Sequence, residues 1–197
     1  MTAGSAQTDE PQPPDAIDLA PTFAVHIGFS TTGGLLSRMI RAATGAPVSH
    51  CFIIYPSEVF GGPMVLEASG AGFRMIAWRK FDRHNKLVAV YRLKRPEEVM
   101  RKGLLALAPR LGDAYDSLSL VGYLLRSVFA LRRVPWNSRK KLVCSEAVAL
   151  YLHRCGIEVG RVSVVTPRDL FELARNRPDE FELIETGKAF KRVRKKR

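Results

Sequence analysis

Cysteines are scarce in this chain, and they do not form a recognisable framework. Of its 197 residues only three are cysteines, Cys51, Cys144 and Cys155, an odd number with no CxxC spacing between any two of them. Zinc clips, redox pairs and disulfide scaffolds normally show such spacing or an even count. We therefore expect neither a disulfide framework nor a metal site, and no organic cofactor is indicated.

Long apolar runs are also missing. The most apolar stretch, SLSLVGYLLRSVFALRRV, is interrupted by Arg126 before it reaches the roughly 20 residues that a membrane-spanning helix needs. The N-terminal segment MTAGSAQTDEPQPPDAIDLA lacks the basic start and the apolar centre of a secretory signal. These absences predict a cytoplasmic protein without an integral membrane span, and a phage-encoded protein would fit the same pattern.

Acidic residues are outnumbered by basic residues, 19 to 31, which gives a formal net charge of +12. Much of the excess lies in the C-terminal segment GKAFKRVRKKR. Such a charge attracts polyanions, so acidic lipid, nucleic acid and anionic wall polymer are candidate partners. The tail is either an arm for such partners or a solubilising end. No nucleic-acid motif of the zinc-finger or RNP type is present.

The order of hydrophobic patterns predicts one α+β domain over residues 21–186. Residues 1–20 are polar and proline-rich and are expected to be disordered, and residues 187–197 form the basic tail. Alternating, β-rich segments predict an antiparallel sheet, in TFAVHIGF, VSHCFIIYP, MVLEAS, FRMIAW, KLVAVYRL and a closing EFELIE. Helical spacing predicts helices in LLSRMIRAATG, PEEVMRKGLLALAPRLG, LSLVGYLLRSVFALRR, CSEAVALYLHRCG and TPRDLFELARN.

Cys144 occupies a position where a thiol can be activated. It follows the apolar pair Leu142 and Val143, and it begins a predicted helix. The unpaired N–H groups and the dipole of a helix N-terminus stabilise a thiolate. We expect this thiol to face the surface and to act as a nucleophile. The alternative is a small buried hydrophobic residue, as most free cysteines are.

His50 is the best placed of the four histidines to act as the base for such a thiol. It opens a predicted strand just after a turn, at the edge where a packed helix N-terminus could meet it. Glu67 lies on the strand expected to pair beside it and could orient the imidazole, although it could also point to solvent. The remaining histidines are assigned surface or packing roles: His26, His84 and His153.

Four short motifs, SH, EA, YD and CSE, follow one another within VSHCFIIY, VLEASGAGF, GDAYDSLSL and KLVCSEAVALYL. In this order, over residues 23–181, the chain resembles the circularly permuted papain-like cysteine amidases, the NlpC-related group that includes YiiX-like proteins. The resemblance implies a permuted papain-like fold, in which an antiparallel sheet packs against a helix that carries the catalytic cysteine at its N-terminus. It also implies a triad of Cys144, His50 and Glu67.

The activity implied by this resemblance is hydrolysis of an amide bond (peptide, isopeptide or γ-glutamyl) or of an ester through a thioester acyl-enzyme. Two alternatives stay open: a cysteine-dependent acyltransferase, and a non-catalytic papain-like module that binds anionic partners. Candidate substrate contacts are Tyr115, Asp116, Ser49 and Ser145, although the first two could equally anchor a helix start. The other two cysteines are predicted to lie in the core.

Overall fold

The computed structural model describes residues 23–115 and 141–187. Within these ranges the chain forms eight strands and five α-helices. In chain order they are β1 (His26–Thr31), α1 (Leu35–Thr44), β2 (His50–Ser57), β3 (Gly62–Ser69), β4 (Gly72–Ala77), α2 (Trp78–Asp82), β5 (Lys86–Leu93), α3 (Glu97–Leu107), β6 (Ala114–Tyr115), β7 (Lys141–Leu142), α4 (Cys144–Arg154), α5 (Pro167–Asn176) and β8 (Phe181–Thr186). Two short 3₁₀ turns cover Ala108–Arg110 and Val162–Val164.

Six strands form one antiparallel sheet in the order β4-β3-β2-β1-β5-β8. The first strand therefore lies in the middle, between the second and the fifth, and the last strand pairs at one edge. The predicted α+β class and the predicted antiparallel sheet are confirmed. A separate two-stranded parallel pair, β6 with β7, leads directly into α4.

The main hydrophobic core lies on one face of the sheet, where α3, α4 and α5 pack. Helix α4 contributes its buried face to this core through Ala147, Val148, Tyr151 and Leu152, and it contacts both β2 and α3. Apolar side chains at this helical spacing are removed from water together, which fixes how the helix sits on the sheet. The first residue of α4 is thereby held beside the start of β2.

A smaller aromatic cluster covers part of the opposite face. Phe52 of β2 packs against Trp78 and Phe81 of α2, with ring centroids 6.3 and 4.2 Å away. The Phe52 ring also lies directly over Gly28 of the neighbouring strand, so that a side chain at that glycine would collide with it. The close approach explains why a glycine stands in the middle of a buried strand.

Among the helices in the described ranges, none is long and apolar enough to cross a bilayer. Several predicted features fall outside the described residues: the N-terminal segment, the leucine-rich stretch over 118–131 and the basic tail beyond residue 187.

Candidate active site

Cys144 is the first residue of α4, as predicted, but it does not face the surface. Its exposed fraction is 5%, and it belongs to the main core. The expectation of a surface-facing thiol was wrong, because α4 lies flat on the sheet and its first turn is covered by the elements around it. The start of the helix is braced by Glu146, whose Oε2 accepts a hydrogen bond from the Val143 N–H at 3.2 Å.

His50, the first residue of β2, is held in place by aromatic rings. Its imidazole stacks against Phe52 and Phe81, with centroids 5.9 and 6.2 Å away and interplanar angles of 25°. The side chain keeps an exposed fraction of 15%. A flat ring packed against other rings loses rotational freedom, which restricts the directions of its two nitrogens.

Glu67 is buried and paired, which excludes the alternative that it points to solvent. Its exposed fraction is 4%, and its Oε2 lies 3.0 Å from His50 Nε2. Its Oε1 accepts hydrogen bonds from Arg74 Nε at 2.9 Å and from Nη2 at 2.6 Å. Strands β2 and β3 pair as predicted, and β4 places Arg74 directly opposite Glu67. Both carboxylate oxygens are therefore committed to cationic or polar partners.

Arg74 is a residue of this cluster that the sequence analysis missed. It lies opposite Glu67 only because β3 and β4 form a hairpin with Ser69 opposite Gly72. The hairpin was readable from the tight spacing of the two strands around SGAG, so a register count could have found it. Because two nitrogens of the Arg74 guanidinium donate to the same carboxylate oxygen, the other oxygen is left for the imidazole.

Two opposite shifts in pKa follow from this geometry. Burial by itself lowers the pKa of His50, but the negative charge of the Cys144 sulfur and its hydrogen bond, together with the Glu67 carboxylate, raise it from 6.5 to about 9. Burial raises the pKa of Glu67, yet the hydrogen bonds and charges of His50 and Arg74 outweigh burial and hold it below its usual range. At neutral pH the imidazole is therefore protonated and the carboxylate is ionised.

Cys51 contacts the sulfur of Cys144 directly, which the sequence analysis did not predict. It was expected to be a core residue and is one, with no exposed surface. Its thiol and its backbone N–H lie close enough to the Cys144 sulfur to lower the pKa of that thiol. The hydrogen bond from the Cys51 thiol and the charge of His50 hold the pKa of Cys144 well below that of an ordinary thiol, against the effect of burial. Burial and the neighbouring thiolate raise the pKa of Cys51 itself.

Of the four candidate substrate contacts, the two whose side chains are described, Ser49 and Ser145, are both buried. The Ser49 hydroxyl is buried and lies 2.6 Å from the Ser37 hydroxyl of α1, so it ties that helix to β2. Ser145 is buried in the first turn of α4. Tyr115 ends β6, where its backbone pairs with Leu142 just ahead of Cys144. Asp116 lies outside the described residues.

A large groove in the described part of the chain is not at this site. It has a volume of about 620 Å³ and lies between α3 and the far ends of β2 and β3. Its walls include Tyr55, Leu66, Met75, Leu104 and Leu107. Tyr55 lies near the opposite end of β2 from His50, and neither Cys144 nor His50 lines the groove. The groove is therefore not the cleft that would present a substrate to Cys144.

Fold and site together define an α+β protein with a cysteine, histidine and glutamate clustered at one end of a six-stranded antiparallel sheet. A solved structure with a similar fold is that of the metalloprotein YiiX from Escherichia coli O157:H7, with a TM-score of 0.53 and 21% sequence identity. The similarity covers 85% of this chain and 90% of the YiiX chain. Comparison with family models and with curated proteins finds no match.

YiiX is described as a metalloprotein, so we tested whether the residues here fit a metal ion. Within residues 23–115 and 141–187, no three His, Cys, Asp or Glu side chains are arranged to hold one. Both oxygens of Glu67 are occupied, one of them by the Arg74 guanidinium, and burial keeps the Cys51 thiol protonated. A metal ligand must be a free carboxylate, a neutral imidazole or a thiolate. The described residues do not fit a metal.

Proposed function

We propose that this protein is a cysteine hydrolase of the permuted papain-like kind, which cleaves an amide or ester bond through an acyl-enzyme on Cys144. The observation that carries the proposal is the position of His50. Its Nε2 is bound to a buried carboxylate at 3.0 Å, while the Cys144 sulfur at the first residue of a helix is close enough to raise the pKa of the imidazole. This is the arrangement in which a base orients and activates a thiol nucleophile.

In the proposed first step the Cys144 thiolate attacks the carbonyl carbon of the substrate. Its thiolate form is favoured by the Cys51 thiol, by the protonated His50 and by the N-terminus of α4. Amide N–H groups in the first turn of a helix have no intrahelical acceptors. We expect those of Cys144 and Ser145 to stabilise the oxyanion that forms. His50 then donates its proton to the leaving amine or alcohol, which leaves a thioester on Cys144.

In the second step a water molecule replaces the leaving group. His50, now neutral, removes a proton from the water as it attacks the thioester carbonyl, and Cys144 leaves as the thiolate. Glu67 stabilises the imidazolium in both steps, and Arg74 fixes the carboxylate from the other side. Water is the only further reactant in this step, and the free carboxylic acid is the second product.

The test is a thioester trap. The wild-type protein is incubated with p-nitrophenyl esters of increasing chain length, and the release of nitrophenol and the intact mass are followed together. We expect a mass increase that maps to Cys144 and is reversed by hydroxylamine, which cleaves thioesters. Cys144→Ala should abolish both signals, whereas Cys155→Ala, a matched change at the other end of the same helix, should retain them.

The outcomes separate the proposal from its alternatives. An adduct that forms but is released only when an amine or alcohol acceptor is added would indicate an acyltransferase. Absence of an adduct on every ester and on peptide p-nitroanilides, in folded protein, would contradict the proposal and favour the binding-module alternative. Because Cys144 is buried, folding of Cys144→Ala must be checked by circular dichroism, and Cys144→Ser serves as a closer replacement in size.

A further inference from the structure

The outward face of α1 is apolar. Leu35, Leu36 and Met39 have exposed fractions of 72%, 40% and 48%, and they form what we call the α1 apolar face. Leu35 and Met39 are four residues apart and therefore neighbours on the helix surface. The opposite side of the helix, with Ser37 and Ile40, is buried. The helix thus presents a contiguous patch of large aliphatic side chains to solvent, which in a soluble protein usually marks an interaction surface.

Exposed cations stand on the same helix and on a neighbouring strand. Arg38 is exposed on α1, and Lys86 is exposed at the start of β5, which pairs with the last residue of β1. The last strand ends at this same end of the sheet, because the Gly187 N–H donates to the Val88 carbonyl at 2.9 Å. Seven of the ten residues that follow Gly187, KAFKRVRKKR, are lysine or arginine. The basic tail therefore leaves the sheet at the end where the α1 apolar face lies.

The face also lies next to the candidate active site. Ser37, on the inner side of α1, lies 2.6 Å from Ser49 through the two hydroxyls and 3.0 Å from the Thr31 hydroxyl. Ser49 directly precedes His50 in the chain. These buried bonds hold α1 rigidly against the start of β2. A surface that met the α1 apolar face would therefore lie close to the end of the sheet that carries Cys144.

We propose that the α1 apolar face docks on the surface of an anionic phospholipid bilayer, with its three aliphatic side chains inserted at the level of the headgroups. Aliphatic insertion combined with nearby cations is how short amphipathic helices bind such membranes. Nucleic acid would be met by basic and aromatic groups instead, and a neutral protein partner gains nothing from the net charge of +12. Membrane docking goes beyond the proposed hydrolysis and does not require turnover.

The experiment measures co-sedimentation of the full chain with vesicles of phosphatidylcholine and phosphatidylglycerol in equal amounts, and with phosphatidylcholine alone. We expect binding to the anionic vesicles only. The variant Leu35→Ser/Leu36→Ser/Met39→Ser should weaken this binding by about tenfold or more, since each aliphatic side chain contributes through the area it removes from water. The matched control is Val59→Ser/Phe60→Ser, which changes exposed apolar residues at the opposite end of β2.

A second measurement does not depend on the triple variant. Met39→Trp should show a blue shift of its added fluorescence when anionic vesicles are present, whereas Phe60→Trp should not. Truncation after Gly187 should weaken binding and flatten its salt dependence while the Met39→Trp blue shift persists at saturating lipid.

Four results would overturn the proposal. The first is wild-type affinity of the triple variant for anionic vesicles, and the second is an equal loss in the Val59→Ser/Phe60→Ser control. The third is an equal loss of binding to duplex DNA in the triple variant, which would assign the face to nucleic acid. A blue shift in Phe60→Trp but not in Met39→Trp would place the membrane contact at the other end of the sheet and would also refute it.

Discussion

Replacing His50 by alanine should slow the alkylation of Cys144 at pH 6 by up to about tenfold. An ordinary thiol, with a pKa of about 8.5, is only about 0.3% thiolate at this pH. Interactions with Cys51 and His50 favour the Cys144 thiolate, so its ionised fraction can exceed the ordinary one by up to about 300-fold. A thiolate with a low pKa is a weaker nucleophile, with a Brønsted coefficient of about 0.4–0.5. The weaker nucleophilicity reduces the expected ratio between the alkylation rates of the activated and the ordinary thiol to roughly tenfold.

The assay uses limiting iodoacetamide at pH 6, followed by peptide mapping of all three cysteines. Cys51 and Cys155 are buried and have raised pKa values, so both should react more slowly than Cys144. Alanine at position 50 opens space beside Cys144, which would speed access. A slower reaction of Cys144 in this variant can therefore come only from a smaller ionised fraction of its thiol. The matched control is His84→Ala, at an exposed histidine in the turn before β5.

Three results would refute the reasoning. They are a Cys144 rate indifferent to His50→Ala, an equal loss in His84→Ala, and equal labelling of the three thiols in the wild-type protein. Glu67→Gln separates orientation from charge. It removes the ionised partner of the imidazole but keeps the ring itself, so it should slow labelling less than His50→Ala does.

Three further changes have defined outcomes. As the pH rises through about 9, His50 loses its proton, so kcat/KM should fall there. The contribution of His50 to the free energy of unfolding, fully present below pH 6.5, should be lost over the same range. A profile of kcat/KM and of stability that stays flat to about pH 10 would contradict this. Cys51→Ala should slow Cys144 labelling at pH 6, because it removes a hydrogen bond to a charged sulfur, worth about 1.5–3 kcal/mol, whereas Cys155→Ala should not. Gly28→Ala should lower the free energy of unfolding in urea by about 1–3 kcal/mol, because a side chain there collides with a packed aromatic ring; an unchanged urea midpoint would show that the ring can move aside.

Local patterns predicted the six strands of the main sheet and four of the five described α-helices but missed α2, and they singled out Cys144, His50 and Glu67 as candidates. Alternation along VSHCFIIYP and MVLEAS predicted two strands, and the structure pairs them with Ile53 opposite Leu66. The proximity of His50 and Glu67 follows from that pairing. A helix start at Cys144 was readable from the periodicity that follows it. Each of these features depends on residues that are close in the chain or belong to one hairpin, so the spacing of residue types is enough to predict it.

Contacts between distant segments had to come from the tertiary structure. Successive residues of a strand point to opposite faces, so the sequence placed Cys51 on the side away from His50. Both nevertheless reach the Cys144 sulfur, because α4 begins over the first residues of β2. The burial of Cys144 has the same origin, since only the packed elements around the helix start remove it from water.

What the sequence determined by itself is the α+β class with its antiparallel sheet, a cysteine at a helix start, and a histidine and a glutamate on neighbouring strands. The tertiary structure decided which groups act on that thiol, and it placed the α1 apolar face and the exit of the basic tail at the same end of the sheet. The physical reason is that β1 and β8 find their partners far along the chain, β1 opposite β5 and β5 opposite β8. Such pairings depend on the burial of whole surfaces, which no short stretch of sequence specifies.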